Sequence, residues 1–143
     1  MIFVEERNID NRLRAVEFLA AYNQYEIVIW MYPESKLENI LGYYLVPASN
    51  VKADPVTKYE DISITVKCTS RLKLERKIIL DLAENQAEMK QSVDSICLYL
   101  NGQEEWSLCS IGHEGMLLVK DVDYCDELIK AGFNASLSAP DWW

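Results

Sequence analysis

Asn101-Gly102 stands between two runs of alternating residues, and no other feature narrows the fold of this chain as far. Ile96, Leu98 and Leu100 alternate with Ser95, Cys97 and Tyr99 before the dipeptide, and Trp106 and Leu108 alternate with Ser107 and Cys109 after it. A period of two places successive side chains on opposite faces of a strand, and Asn and Gly both tolerate the positive φ of a type I′ turn. The pattern predicts a two-residue hairpin whose strands end near Leu100 and resume near Gln103. A third strand, Met116 to Val119, is expected after a turn from Gly112 to Gly115. Asp121 or Asp123 can then cap a final helix in which Val122, Cys125, Leu128 and Ile129 share one face and Gly132 takes the position after the helix end.

The rest of the chain is consistent with such a sheet. Met1 to Val4 either adds a strand or tucks against the core. A helix is expected from Asp10 to about Asn23, capped by Asp10 or Asn11, with Leu13, Val16, Phe18, Leu19 and Ala20 on its apolar side. Ile27 to Tyr32 is a nearly continuous apolar run ended by Pro33, as in a central strand buried on both faces. Ser35 to Glu38 has capping-box spacing, with room for one or two turns before Gly42. Tyr43 to Val46 reads as extended, Pro47 to Glu60 as a surface loop, and Ile62 to Cys68 as a half-buried strand by its strict alternation. Leu72, Leu74, Ile78, Leu80 and Leu82 fit period two better than a helical stripe, which predicts a strand over 72–82 after a turn at Thr69 to Arg71. Ala83 to Gln91 then makes a short helix. The order of elements predicts one α+β domain over residues 1–143, with a mainly antiparallel sheet, an N-terminal helix, a short middle helix and a C-terminal helix.

Cys68, Cys97, Cys109 and Cys125 are widely spaced, without a Cys-x-x-Cys pair, and read as buried reduced thiols. One histidine and no closely spaced ligands argue against a metal centre, and no glycine-rich phosphate or dinucleotide loop is present, so no cofactor is expected. No apolar run reaches the roughly 18 residues of a membrane span, and the acidic start lacks a signal peptide's basic residues, which predicts a cytoplasmic protein.

The formal charge is −9. Residues 1–80 carry eleven acidic and eleven basic side chains, whereas residues 81–143 carry twelve acidic and three basic, so the whole excess lies in the second part. That excess disfavours direct binding to nucleic acid or anionic membrane and favours a basic partner. Glu104 and Glu105 stand at the hairpin beside Trp106, Glu114 in the next turn, and Asp121, Asp123 and Asp126 at the start of the last helix. A ring beside carboxylates suits an interface, although ordinary core packing also accounts for Trp106, and acids in a first turn also favour the helix dipole. Trp142 and Trp143 either close the sheet or meet a partner. His113, in Gly-His-Glu-Gly, is the one imidazole available to an activated nucleophile, and a turn histidine is an ordinary polar loop residue too.

Glu104-Glu105-Trp106 and the acidic helix start after Asp121, in a small acidic α+β chain without a catalytic constellation, resemble the immunity proteins of bacterial contact-dependent growth inhibition and related polymorphic toxin systems. The resemblance implies binding and neutralisation of a cognate toxin domain, often a basic nuclease. The partner surface would contain Glu104, Glu105, Trp106, Glu114, Asp121, Asp123 and Asp126, the carboxylates standing in for nucleic-acid phosphates. The alternatives are a small ligand-binding or enzymatic domain with a pocket near His113, and a structural adaptor that docks through its aromatic tail.

Overall fold

The computed structural model describes residues 1–37, 39, 45–46 and 67–143. Its elements are β1 (Ile2–Glu5), α1 (Ile9–Ala20), β2 (Tyr25–Met31), β3 (Leu45–Val46), β4 (Lys67–Thr69), β5 (Leu72–Lys73), α2 (Arg76–Glu84), α3 (Gln86–Ser92), β6 (Val93–Leu100), β7 (Trp106–Ile111), β8 (Met116–Val119), a 3-10 turn (Val122–Tyr124), α4 (Cys125–Lys130) and β9 (Ala135–Ser136). The strands form one antiparallel sheet in the order β3-β4-β2-β6-β7-β8-β1-β9, with β5 also beside β2. The fold is α+β, as the order of elements predicts. Met1 to Val4 resolves as β1, held between β8 and β9. Glu38 of the capping box, the loop Pro47 to Glu60 and most of the strand Ile62 to Cys68 lie outside the described residues.

Alternation explains the layers. Ile27, Ile29 and Met31 of β2, Ile96 and Leu98 of β6, Leu108 of β7, and Leu117 and Val119 of β8 point to one face, where they meet Leu13, Val16 and Leu19 of α1, Leu82 of α2, Met89 of α3 and Leu128 of α4 in the main core. The opposite parity, Val28, Trp30, Cys68, Cys97, Tyr99 and Cys109, forms a second buried cluster on the other face. Burial on both faces is why β2 shows no alternation. Two buried hydroxyls satisfy backbone amides within this sheet. Thr69 Oγ1 accepts from the Ile29 amide at 3.0 Å, beside the break between β4 and β5, and Ser110 Oγ accepts from the Ile96 amide at 2.8 Å. Each hydroxyl takes a bond that a buried amide could not leave unmade without a cost of about 1–3 kcal/mol.

All four cysteines are buried and none is in a disulfide, and Cys97 Sγ lies 2.9 Å from Cys109 Sγ across β6 and β7. Burial pushes the Cys68 thiol up to about 11 and, with Asp94 nearby, the Tyr32 phenol up to about 12. These acids are raised, so the folded state holds protons that the unfolded chain releases, and stability is present below the unfolded pKa and lost as pH rises. The unfolding midpoint in urea should therefore fall from about pH 9 toward pH 11–12. Cys68→Ala should shallow the early part of that fall. A midpoint that stays flat to pH 11 would refute the assignment. Native Ellman titration at pH 8 should find few reactive thiols, and all four after denaturation.

The helices correct four expectations. The N-cap of α1 is Asn8, whose Oδ1 accepts from the Asp10 amide at 2.9 Å, in place of Asp10 or Asn11. The predicted strand over 72–82 is a two-residue strand followed by a helix, because Leu72 pairs with Ile27 while buried Ile79 and Leu82, flanked by partly buried Ile78 and Ala83, form a helical stripe. Leu80, counted as inward on strand spacing, is exposed. The next helix begins at Gln86 and ends at Ser92, in place of Ala83 to Gln91. On the final helix only Cys125 and Leu128 are buried, whereas Val122 and Ile129, expected on the same face, are exposed. This helix closes in a Schellman arrangement, with the Gly132 amide donating to Ile129 O at 2.9 Å and the Phe133 amide to Leu128 O at 3.0 Å.

The hairpin is present but longer than two residues. The Gln103 amide donates to Leu100 O at 2.9 Å, closing a turn around Asn101 and Gly102, yet β7 resumes only at Trp106, opposite Tyr99. Gly102 has φ +79 and, among the described residues, none but glycine has positive φ, so the turn is of type II and not I′. The register shifts between Leu98 and Tyr99, and residues 101–105 form the loop. Space at Gly102 is open, so Gly102→Val should destabilise through its backbone angle alone, by about 1–2 kcal/mol. An unchanged thermal midpoint would contradict that.

Candidate functional site

Three segments converge on one groove. The β6–β7 loop and the start of β7 contribute Glu104, Glu105 and Trp106, the end of β8 contributes Lys120 and Asp121, and Asn23, Tyr25 and Tyr124 close the far side. The groove encloses about 750 Å³. Pairing sets this geometry: the Lys120 amide donates to Ser107 O at 2.9 Å, which carries Lys120 and Asp121 alongside β7, and Asn23 Nδ2 donates to the Tyr124 hydroxyl at 3.0 Å. Trp106 is half-buried on the second face of the sheet, packed against the cluster of Val28, Cys97 and Tyr99 and against a further one of Ile111, Met116 and Leu118. Lys120 Nζ lies 4.8 Å above the Trp106 ring and donates to Glu105 Oε2 at 2.6 Å. That hydrogen bond, and then the lysine's charge, hold the Glu105 carboxyl below its ordinary range.

Four of the expected partner residues, Glu104, Glu105, Trp106 and Asp121, thus line one groove. Asp121 has a second task, since its Oδ1 accepts from the Asp123 amide at 3.0 Å and caps the 3-10 turn. Asp123 and Asp126 are exposed on the adjoining turn and α4, near the exposed Val122. Tyr22, also exposed, stacks on Tyr124 with ring centroids 5.3 Å apart. Glu114 does not belong here. It sits in the β7–β8 turn at the other end of a six-residue strand, about 17 Å away. The acidic excess is not confined to one surface either, because Asp94 is fully buried.

Asp94 anchors a separate polar cluster. Its Oδ1 meets His113 Nδ1 at 2.7 Å and accepts from the Tyr32 hydroxyl at 3.0 Å, while Oδ2 accepts from Ser95 Oγ at 3.1 Å. His113 remains 42% exposed, with Nε2 at 3.8 Å from Glu114 Oε1. Arg12 is buried beside this cluster, and burial lowers its pKa against the opposing pull of Asp94. Gly112 lets the elements meet: its amide donates to Asp94 O at 2.7 Å, and a Cβ there would lie 2.5 Å from that oxygen and 2.9 Å from Arg12 Nη1.

Asp94, Arg12 and Tyr32 escaped sequence reasoning, because they meet only through sheet order. Lys120 escaped it too, although it is one of three basic residues after residue 80. The tryptophan tail docks on β1, with Trp142 Nε1 donating to Glu5 Oε2 at 3.2 Å and Trp143 edge-on to Phe3 at 6.0 Å, and both rings stay half exposed. Among the described residues no helix is long and apolar enough to cross a membrane, and no group of three or more His, Cys, Asp or Glu could hold a metal ion.

Fold and groove together define an α+β domain whose sheet end carries an acidic, aromatic-floored cleft. No family model, curated protein or solved structure matches the chain.

Proposed function

We propose that the protein is an immunity-type inhibitor that binds a basic toxin domain at the groove and has no catalytic activity of its own. The observation that carries this reading is the placement of a half-buried Trp106 among Glu104, Glu105 and Asp121 on one concave surface. An aromatic ring supplies area that can be desolvated, and surrounding carboxylates choose a basic partner and speed its approach. The exposed Val122 and Tyr22 beside the groove add apolar surface next to its carboxylates. The test is to express the toxin domain encoded next to the gene, measure binding by interferometry at low and high salt, and assay rescue of growth. Tight, salt-sensitive binding with rescue is expected. No binding to a basic neighbouring domain, or binding indifferent to salt, would overturn the reading.

A second reading has one observation in its favour. The 2.7 Å contact of His113 with buried Asp94 orients the imidazole as a general base is oriented in many enzymes. His113→Gln separates the two: it should leave toxin neutralisation intact if the groove is the working site, and should abolish function if the imidazole is.

A further inference from the structure

We infer that the groove holds a subsite for one arginine side chain of the partner protein, and that Lys120 occupies this subsite in the free protein as a built-in competitor. The inference deepens the partner-binding reading and rests on it. Lys120 is the one basic residue among the described residues lining the groove. Its ammonium lies 4.8 Å over the Trp106 ring and 2.6 Å from Glu105 Oε2, so ring face and carboxylate already bind a cation. The contact is replaceable, since Lys120 is 36% and Glu105 83% exposed, and exposed ion pairs hold weakly. A guanidinium fits the same position better than an ammonium. Its plane stacks on indole, and its fork of donors can engage the Glu105 carboxylate through two hydrogen bonds while Glu104 and Asp121 line the same space. Lys120 then swings out to solvent, which its flexible stem permits.

The probe is a tetra-arginine peptide, with tetralysine for comparison, titrated at physiological salt. Lys120→Met keeps the stem and removes the competing charge, and should tighten tetra-arginine binding by about threefold to tenfold. Lys130→Met is the control, because Lys130 pairs with Glu127 on α4 and does not line the groove. It removes the same charge and should change affinity by less than about twofold. Equal gains in the two variants would reduce the effect to net charge and overturn the subsite. In the parent protein, bound peptide should raise the acetylation rate of Lys120; protection of Lys120 would also overturn it. If Lys120→Met has no effect while reversal of Glu104 and Glu105 abolishes peptide binding, the subsite falls and the acidic groove stands. If tetra-arginine binds no better than tetralysine, the guanidinium preference falls; if neither the peptide nor the neighbouring toxin domain binds, the subsite falls together with the partner-binding reading.

Discussion

Reversing Glu104 and Glu105 together to Lys should slow association with the proposed basic partner by about tenfold or more at low salt and by much less at high salt. The substitution removes two negative charges and adds two positive ones at the mouth of the groove, where Lys120 would face them without its carboxylate partner. Both positions lie in an exposed loop, so thermal stability should stay close to the parent's. Trp106→Ala should act on the other rate. A half-buried ring that anchors a partner commonly costs about 2 kcal/mol or more when truncated, roughly thirtyfold in affinity, mostly through faster dissociation. Trp106 also packs on both clusters of the second face, so Trp106→Phe is needed beside it to keep the sheet filled while losing the larger ring. Should the charge-reversed variant bind and protect as well as the parent at low salt, the acidic groove is a solubility feature and the interface lies elsewhere.

The second large effect is on stability. Asp94→Ala should destabilise by about 3–5 kcal/mol, because it strips His113, Tyr32 and Ser95 of a shared acceptor and takes from the buried Arg12 the carboxylate that acts on it most strongly, ahead of Glu6. The thermal midpoint should fall by about 10 °C or more. Asp94→Asn keeps the shape and part of the hydrogen bonding, and should cost less. A midpoint for Asp94→Ala within about 2 °C of the parent's would mean that the network contributes little to the fold.

Both predictions show where the chain could be read and where it could not. β6 and β7 were legible because each carries alternating parity, β8 because an apolar run follows the Gly112 to Gly115 turn, and β2 because its apolar run lacks alternation. The stretch from Leu72 was not, since it joins two elements: Leu72 belongs to a strand, Ile78 to Ala83 to a helix, and the exposed Leu80 lends a false period of two. The hairpin site was legible from Asn101-Gly102, but its loop length was not, because the register shift at Leu98 and Tyr99 leaves no mark in composition. For the groove, three neighbours in sequence, Glu104 to Trp106, and the later Asp121 were identified. Tyr25 and Asn23 enter only through the pairing of β2 with β6, a contact between residues far apart in the chain. Glu114 was included because a charge count along the chain ignores which end of a strand a turn occupies.

The position of β1 has a consequence for synthesis. Phe3 and Val4 pair with Ser136 and Ala135, about 130 residues later. At roughly 5–20 residues per second a ribosome needs about 7–26 s to make that intervening chain. For most of this interval the first strand has neither neighbour, because β8 is complete only at Val119 and β9 follows it. Such distant pairing also slows folding after release, because closure of a long loop precedes the contacts that reward it. A protein that must be ready before its target becomes active would therefore have to be made early and kept in excess, with protective capacity set by the stock of finished chains and not by the rate of new synthesis.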